Sequence, residues 1–320
     1  MKLLKLVVLT AVFSIFSNPM AAVLASDMEQ LNSDLREAAL IDDVDLIETL
    51  IKQGADVNAG NQFGKTALMR AIESGSELSV DVLLAHNADV NARTVAGCTP
   101  LTFAAEFGYD VITKLLLDRG ASVNSRTRSG WNALMIAARQ GYLDVVLRLI
   151  AAGSNVDNVD NEGETALLGA VKKGFIDVAK ALLSANANPN IGNQRGVTPL
   201  MLATQRGDVE MATLLLAHKA DINQRDLSGA TALIYASESE QIDITRLLLQ
   251  HSADIDLQDN AGETALIQAV FRGNAEIVAL LLAQGADASK VDQAGYTALE
   301  MATTKGNAEI IDLLNANVKK

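Results

Sequence analysis

Residues 262–285 read GETALIQAVFRGNAEIVALLLAQG. Apolar residues recur at helical spacing: Leu266, Ala269 and Val270, then Ile277, Val278, Leu281 and Leu282. Gly273 stands where the first helix must end, as a left-handed residue just past a helix does, and Gly285 does the same for the second. The stretch therefore predicts two short helices joined by a tight turn. Each carries an apolar face that a lone pair of helices leaves in water.

The same stretch returns along the chain. Glycine occupies positions 64, 97, 130, 163, 196, 229, 262 and 295, with a fixed interval of 33. Leucine follows at 68, 101, 134, 167, 200, 233, 266 and 299. Threonine stands two residues past each glycine except after Gly130, where Asn132 replaces it. Paired leucines such as Leu83-Leu84 and Leu281-Leu282 come next, then GADVN, NADVN, GASVN, KADIN and SADID. A constant period of this size marks a repeat array, in which each helix pair buries its apolar faces on its neighbours. Ala67, Ala71 and their equivalents are small because adjacent helices must approach closely.

The units read GKTALMRA, GCTPLTFA, GWNALMIA, GETALLGA, GVTPLMLA, GATALIYA, GETALIQA and GYTALEMA. This pattern resembles the ankyrin repeat over roughly residues 30–317. The resemblance implies an all-α solenoid of about nine 33-residue helix-turn-helix repeats with β-hairpin loops. Residues 26–61 would form an N-terminal capping repeat, 62–291 the central repeats, and 292–320 a C-terminal capping repeat and tail. Two departures stand out. The family's histidine is replaced throughout, by Met69, Thr102, Met135, Leu168, Met201, Ile234, Ile267 and Glu300. Apolar contact is expected to replace its hydrogen bonds. The helix-ending glycine is replaced once, by Glu240, and that unit is expected to be locally irregular.

The N-terminus reads as a secretory signal peptide, residues 1–25. Lys2 and Lys5 precede an apolar run from Leu6 to Phe16, and Val23 and Ala25 fit a cleavage site after Ala25. The run is shorter than the roughly 20 residues a membrane span needs. The expected location is periplasmic or secreted. The full chain carries 26 Lys plus Arg against 39 Asp plus Glu. That balance opposes general binding to nucleic acid or to an anionic membrane surface. Cys98 is the single cysteine, so no intramolecular disulfide and no cysteine-based zinc site can form.

The charge is not evenly spread over the repeat. By resemblance, the hairpin tips and first helices form a concave surface where partners bind. The exposed positions there are four, two and one before the repeat glycine, and one, nine and ten after it. They hold twelve basic residues, including Arg93, Arg126, Arg128, Arg139, Lys172, Lys173, Arg195, Arg206 and Arg272, against six acidic ones. Phe63, Phe107, Trp131, Phe271 and Tyr296 occupy the same positions. Trp131, the only tryptophan, stands between Arg126, Arg128 and Arg139. Trp and Arg are the residues most enriched at binding hot spots. The plainer alternative is that Trp131 simply packs against the next hairpin.

The expected function is non-catalytic binding of a protein partner with an acidic patch and an apolar centre. Resemblance to periplasmic ankyrin proteins implies two elaborations: a cell-wall hydrolase that the chain inhibits, or a catalase-type enzyme that it supports. Binding of an anionic envelope polymer such as peptidoglycan is one alternative, and a secreted host-directed effector is another. A monomer without cofactor or metal is expected. His86, His218 and His251 share one repeat position at the end of the second helix. His218 and His251 fall on adjacent repeats and would stand about 10 Å apart, too far to share one zinc. Asp144, Asp177, Glu210, Asp243, Glu276 and Glu309 share another position, at the start of the second helix, where a carboxylate suits the helix dipole.

Overall fold

A computed structural model describes residues 19–318. The apolar run of the expected signal peptide lies outside the described residues, and the expected cleavage site after Ala25 falls within the first helix. Among the described residues the chain forms eighteen helices. They divide into two compact units, one ending at Arg128 and one beginning at Ser129.

The first unit opens with α1 (Pro19–Leu40) and α2 (Val44–Lys52), followed by α3 (Ala67–Ser74), α4 (Glu77–Ala85), α5 (Pro100–Phe107) and α6 (Asp110–Asp118). Helix α1 has 22 residues, far more than the eight of α3, and packs along it. The turn after α1 uses Asp42 with a φ of 61°. Its carboxylate accepts hydrogen bonds from the Ser76 and Ser79 hydroxyls, which hold it below the usual carboxylate range.

The second unit runs through α7 (Ala133–Gln140), α8 (Leu143–Ala151), α9 (Ala166–Lys173), α10 (Ile176–Ser184), α11 (Pro199–Arg206) and α12 (Val209–Ala217). It continues with α13 (Ala232–Glu238), α14 (Ile242–Gln250), α15 (Ala265–Arg272), α16 (Ala275–Ala283), α17 (Ala298–Lys305) and α18 (Ala308–Val318). First helices stack on first helices, α9 on α7, α11 on α9 and α15 on α13, while second helices line up behind them. Ala137, Ala170, Ala203, Ala236, Ala269 and Ala302 are wholly buried at the crossings, as their small size requires.

Helix starts follow directly from the repeat's polar residues. Each repeat threonine accepts a hydrogen bond from a backbone N–H one turn into its helix, as Thr165 Oγ1 does from Leu168 N at 3.1 Å. Asn132 fills the same office: its Oδ1 accepts from Met135 N at 2.9 Å. Its Nδ2 is buried without a partner. The positions vacated by histidine are buried and apolar at Met69, Met135, Leu168, Met201, Ile234 and Ile267. Thr102 and Glu300 instead return a side-chain bond to the N–H of Thr99 and Thr297.

The loops differ from the expected β-hairpins. They are tight turns, and among the described residues only one isolated bridge forms, between Val291 and Thr297. Each loop closes on itself through short backbone bonds, as Asp160 N donates to Glu164 O at 3.0 Å, and reaches the neighbouring loop with the rest. Gln194 N donates to Glu162 O at 2.9 Å, Leu227 N to Arg195 O at 2.9 Å and Asn260 N to Ser228 O at 2.8 Å. A second line of coupling runs through the repeated Asn or Asp side chains. Asn190 Oδ1 accepts from Asp221 N at 2.7 Å, and Asn223 Oδ1 from Asp254 N at 2.9 Å. Repeat glycines permit this closeness. Gly163 has a φ of 76°, and a Cβ there would meet Gln194 N at 2.9 Å. The unit with Glu240 stays in phase, but its first helix has seven residues instead of eight, and Glu240 holds a φ of 57°.

Candidate functional site

In the first unit, Phe63 is 59% exposed and Phe107 lies against Tyr109, with ring centroids 5.7 Å apart. Arg93 donates to the backbone carbonyl of Arg126, and Arg126 and Arg128 are exposed. Cys98 is half-buried. In the second unit, the Arg139 guanidinium lies over the Trp131 indole, 4.7 Å from the ring centroid. Arg195 and Tyr296 are exposed. The Phe271 ring is met by Arg272 at 5.9 Å and by Lys305 at 3.9 Å.

Several of these cations serve the stacking of repeats. Arg206 Nη1 donates to Lys172 O at 3.0 Å and Lys305 Nζ to Phe271 O at 2.8 Å, each satisfying a carbonyl near the end of the preceding first helix. Arg272 pairs with Glu238 at 3.0 Å. Glu263 adds negative charge near that end. Burial pushes its carboxyl above the usual range, and Asp259, Asp292 and Glu238 reinforce the shift. A simple tally of basic residues therefore overstates the charge free for a partner.

One place in the second unit is different. A cavity of about 340 Å³ opens between the first helices α7 and α9, lined by Trp131, Met135 and Arg139 on one side and Gly169, Lys172 and Lys173 on the other. Asp160, Glu162, Glu164 and Thr165 complete it from the loop. Trp131 is half-buried and fixed by Arg139. Lys172 pairs with Glu164 at 3.3 Å, while Lys173 is exposed and its side chain makes no ion pair or hydrogen bond among the described residues. Asp160 is 6% exposed, and its Oδ1 accepts from the backbone N–H groups of Glu162 and Glu164, both at 2.8 Å.

The cavity exists because of Gly169. Position six after each repeat glycine otherwise carries a large side chain: Arg70, Phe103, Ile136, Leu202, Tyr235, Gln268 and Met301. Sequence reasoning brought Trp131, Arg139, Lys172 and Lys173 forward together but missed Gly169, Asp160 and Met135. The signal was available in the single gap in that column of large residues.

Among the described residues, no three or more His, Cys, Asp or Glu residues are grouped so as to hold a metal ion. His86, His218 and His251 each stand just past the end of a second helix, as their spacing implied. No helix of the described residues is long and apolar enough to cross a membrane.

Comparison with known proteins agrees with this architecture. A family model described as ankyrin repeats (3 copies) matches residues 35–127, 114–193, 185–259 and 250–320. Among solved structures, the chain is similar to the human ASB11 ankyrin repeat domain, with a TM-score of 0.60 and 26% identity. That match covers 69% of this chain and 98% of the other. Among curated proteins none matches.

Proposed function

This chain belongs to the ankyrin-repeat family, whose repeats generally mediate protein–protein interaction, and we propose that it is a non-catalytic binder of an acidic-surfaced protein. The observation that carries this reading is the Trp131 indole clamped under Arg139 beside an unpaired Lys173. An aromatic side chain already held in place loses little freedom when a partner covers it. Desolvation on docking strengthens the cation–π contact, worth about 0.5–1 kcal/mol when exposed and about 2 when dry. Lys173 would speed and orient encounter with an acidic surface.

The location in this proposal is the periplasm, supported by the Lys2–Ala25 segment and its build. The partner class is an envelope enzyme that the chain inhibits or supports. The test is a pull-down from periplasmic extract with the wild type beside the double variant Trp131→Ala, Lys173→Glu. The expected result is one protein held by the wild type and weakened by about 2 kcal/mol or more in the variant, with unchanged helical content. Equal capture by both chains, or capture of cell-wall fragments alone, would overturn it.

A further inference from the structure

We propose that the cavity over Gly169 is a receptor for a tyrosine side chain of the partner, whose hydroxyl donates to Asp160 Oδ2. The source of the tyrosine rests on the partner-binding reading above. The chemistry of the pocket stands on its own residues.

The chain supplies the template. Asp226 stands in its repeat where Asp160 stands in its own, three residues before the repeat glycine. Asp226 Oδ1 accepts the backbone N–H groups of Ser228 and Ala230, both at 2.9 Å. Its Oδ2 accepts the Tyr235 hydroxyl at 2.7 Å. Tyr235 is the counterpart of Gly169. Asp160 keeps the two backbone bonds on Oδ1, but its Oδ2 has no donor among the described residues. One repeat thus carries a phenol on its aspartate. The other carries the same aspartate, nearly buried, beneath a space where the phenol is missing.

Nothing in the packing demands glycine at 169. The atoms nearest a Cβ there all belong to Arg139, the first 3.5 Å away, an ordinary contact. Glycine inside a helix is about 1 kcal/mol less favourable than alanine. The stability lost at Gly169 has one visible return, which is open space. At about 340 Å³ that space lies at the low end of ligand sites, enough for one ring and its substituent.

Charge selects the ring's substituent. Asp160, Glu162 and Glu164 disfavour an entering carboxylate, and Arg139, Lys172 and Lys173 disfavour an entering ammonium or guanidinium. A neutral donor passes both filters. The same cations favour an aromatic face, and Trp131 with Met135 offers the surface on which a ring packs. Serine and threonine are too short to fill the space, and an amide leaves the apolar wall uncovered. A phenol meets every requirement.

The pocket contains the only tryptophan, which makes it self-reporting. The experiment titrates the full chain with p-cresol and with toluene, following Trp131 by fluorescence and by its indole N–H resonance. The expected result is saturable binding of p-cresol and binding of toluene weaker by about tenfold or more, the loss of one hydrogen bond to a charged acceptor. Asp160→Asn should weaken that preference, since its Nδ2 can only donate to the phenol oxygen, without unfolding the loop, because Asn193 holds the equivalent loop with the same bond geometry. Gly169→Tyr should block the pocket outright. Equal binding of toluene and p-cresol, an unchanged preference in Asp160→Asn, or no p-cresol binding to the wild type would each overturn the proposal. These titrations need no partner. A chain that captures a partner through Trp131 yet ignores p-cresol would sink the tyrosine pocket alone. A chain that binds p-cresol but captures nothing would sink the partner reading alone.

Discussion

The repeat that opens at Gly163 and the repeat that opens at Gly229 share one backbone plan and differ in what they do with it. Both start their first helix with a threonine cap and close their loop on an aspartate. In the later repeat the Tyr235 hydroxyl donates to Asp226 Oδ2, and the half-buried carboxylate has donors on both oxygens. In the earlier one Gly169 leaves Asp160 beneath a cavity walled by Trp131 and three cations. Residues that hold the solenoid together recur every 33 positions, so they cannot by themselves distinguish one site along it from another. Specificity has to come from positions where the repeat is broken.

Exchanging the two positions tests this difference. Opening the closed repeat should cost most. Tyr235→Gly removes a half-buried ring, a hydrogen bond to a charged acceptor and helix propensity together, a loss of about 3 kcal/mol or more in urea denaturation. Closing the open repeat should have the opposite sign and a smaller size. Gly169→Tyr is expected to stabilise the chain by about 1–2 kcal/mol, through helix propensity and a new bond to Asp160 Oδ2. Gly169→Phe should recover only the first part. A destabilised Gly169→Tyr would show that the two repeats are not interchangeable.

A milder effect is expected where the repeat is broken for no gain. Glu240 keeps a left-handed φ of 57° in a position that glycine holds in every other repeat after the first, where Asp42 stands. Its carboxylate makes only a long bond from Asn274 at 3.5 Å. Glu240→Gly should raise stability by about 1 kcal/mol, read as a shift in the urea midpoint.

The architecture was legible because it is written many times. Each glycine, threonine and leucine column is constrained by turn, cap or core, and a fixed period reveals all of them together. Glu240 was legible for the same reason, as a break in a column. The site was legible only in part. Trp131 and Arg139 were visible as rare residues at exposed positions. The roles of Arg206, Lys305 and Arg272 were not, because whether a cation caps a neighbouring carbonyl or stands free depends on the distance between repeats. Asp160 was invisible for a further reason. Its bonds to the loop are those of Asn193 and Asp259, and only the missing ring at Gly169 sets it apart.

The smallest effect separates the two repeats by pH. Burial alone would raise the Asp226 carboxyl, but it is outweighed by hydrogen bonds from Ser228, Tyr235 and the backbone of Ala230 and Ser228, so the pKa is lowered overall. A carboxyl lowered by folding contributes stability that is present above its unfolded pKa and lost as pH falls through the folded value. Tyr235 titrates the other way. Burial first, then the hydrogen bond and charge of Asp226, hold its phenol well above its usual range. Its contribution is therefore complete below about pH 10 and declines as the unfolded phenol ionises above that. Wild type should lose stability relative to Tyr235→Phe at both ends, below about pH 4 and above about pH 10, with a level difference between. Urea midpoints of the two chains across that range would check it. Gly169→Tyr should introduce the same alkaline loss into the earlier repeat, because burial in the cavity and the charge of Asp160 both oppose ionisation of the new phenol. A Gly169→Tyr chain whose stability tracks Gly169→Phe above pH 10 would mean that the new phenol stays in solvent, outside the cavity.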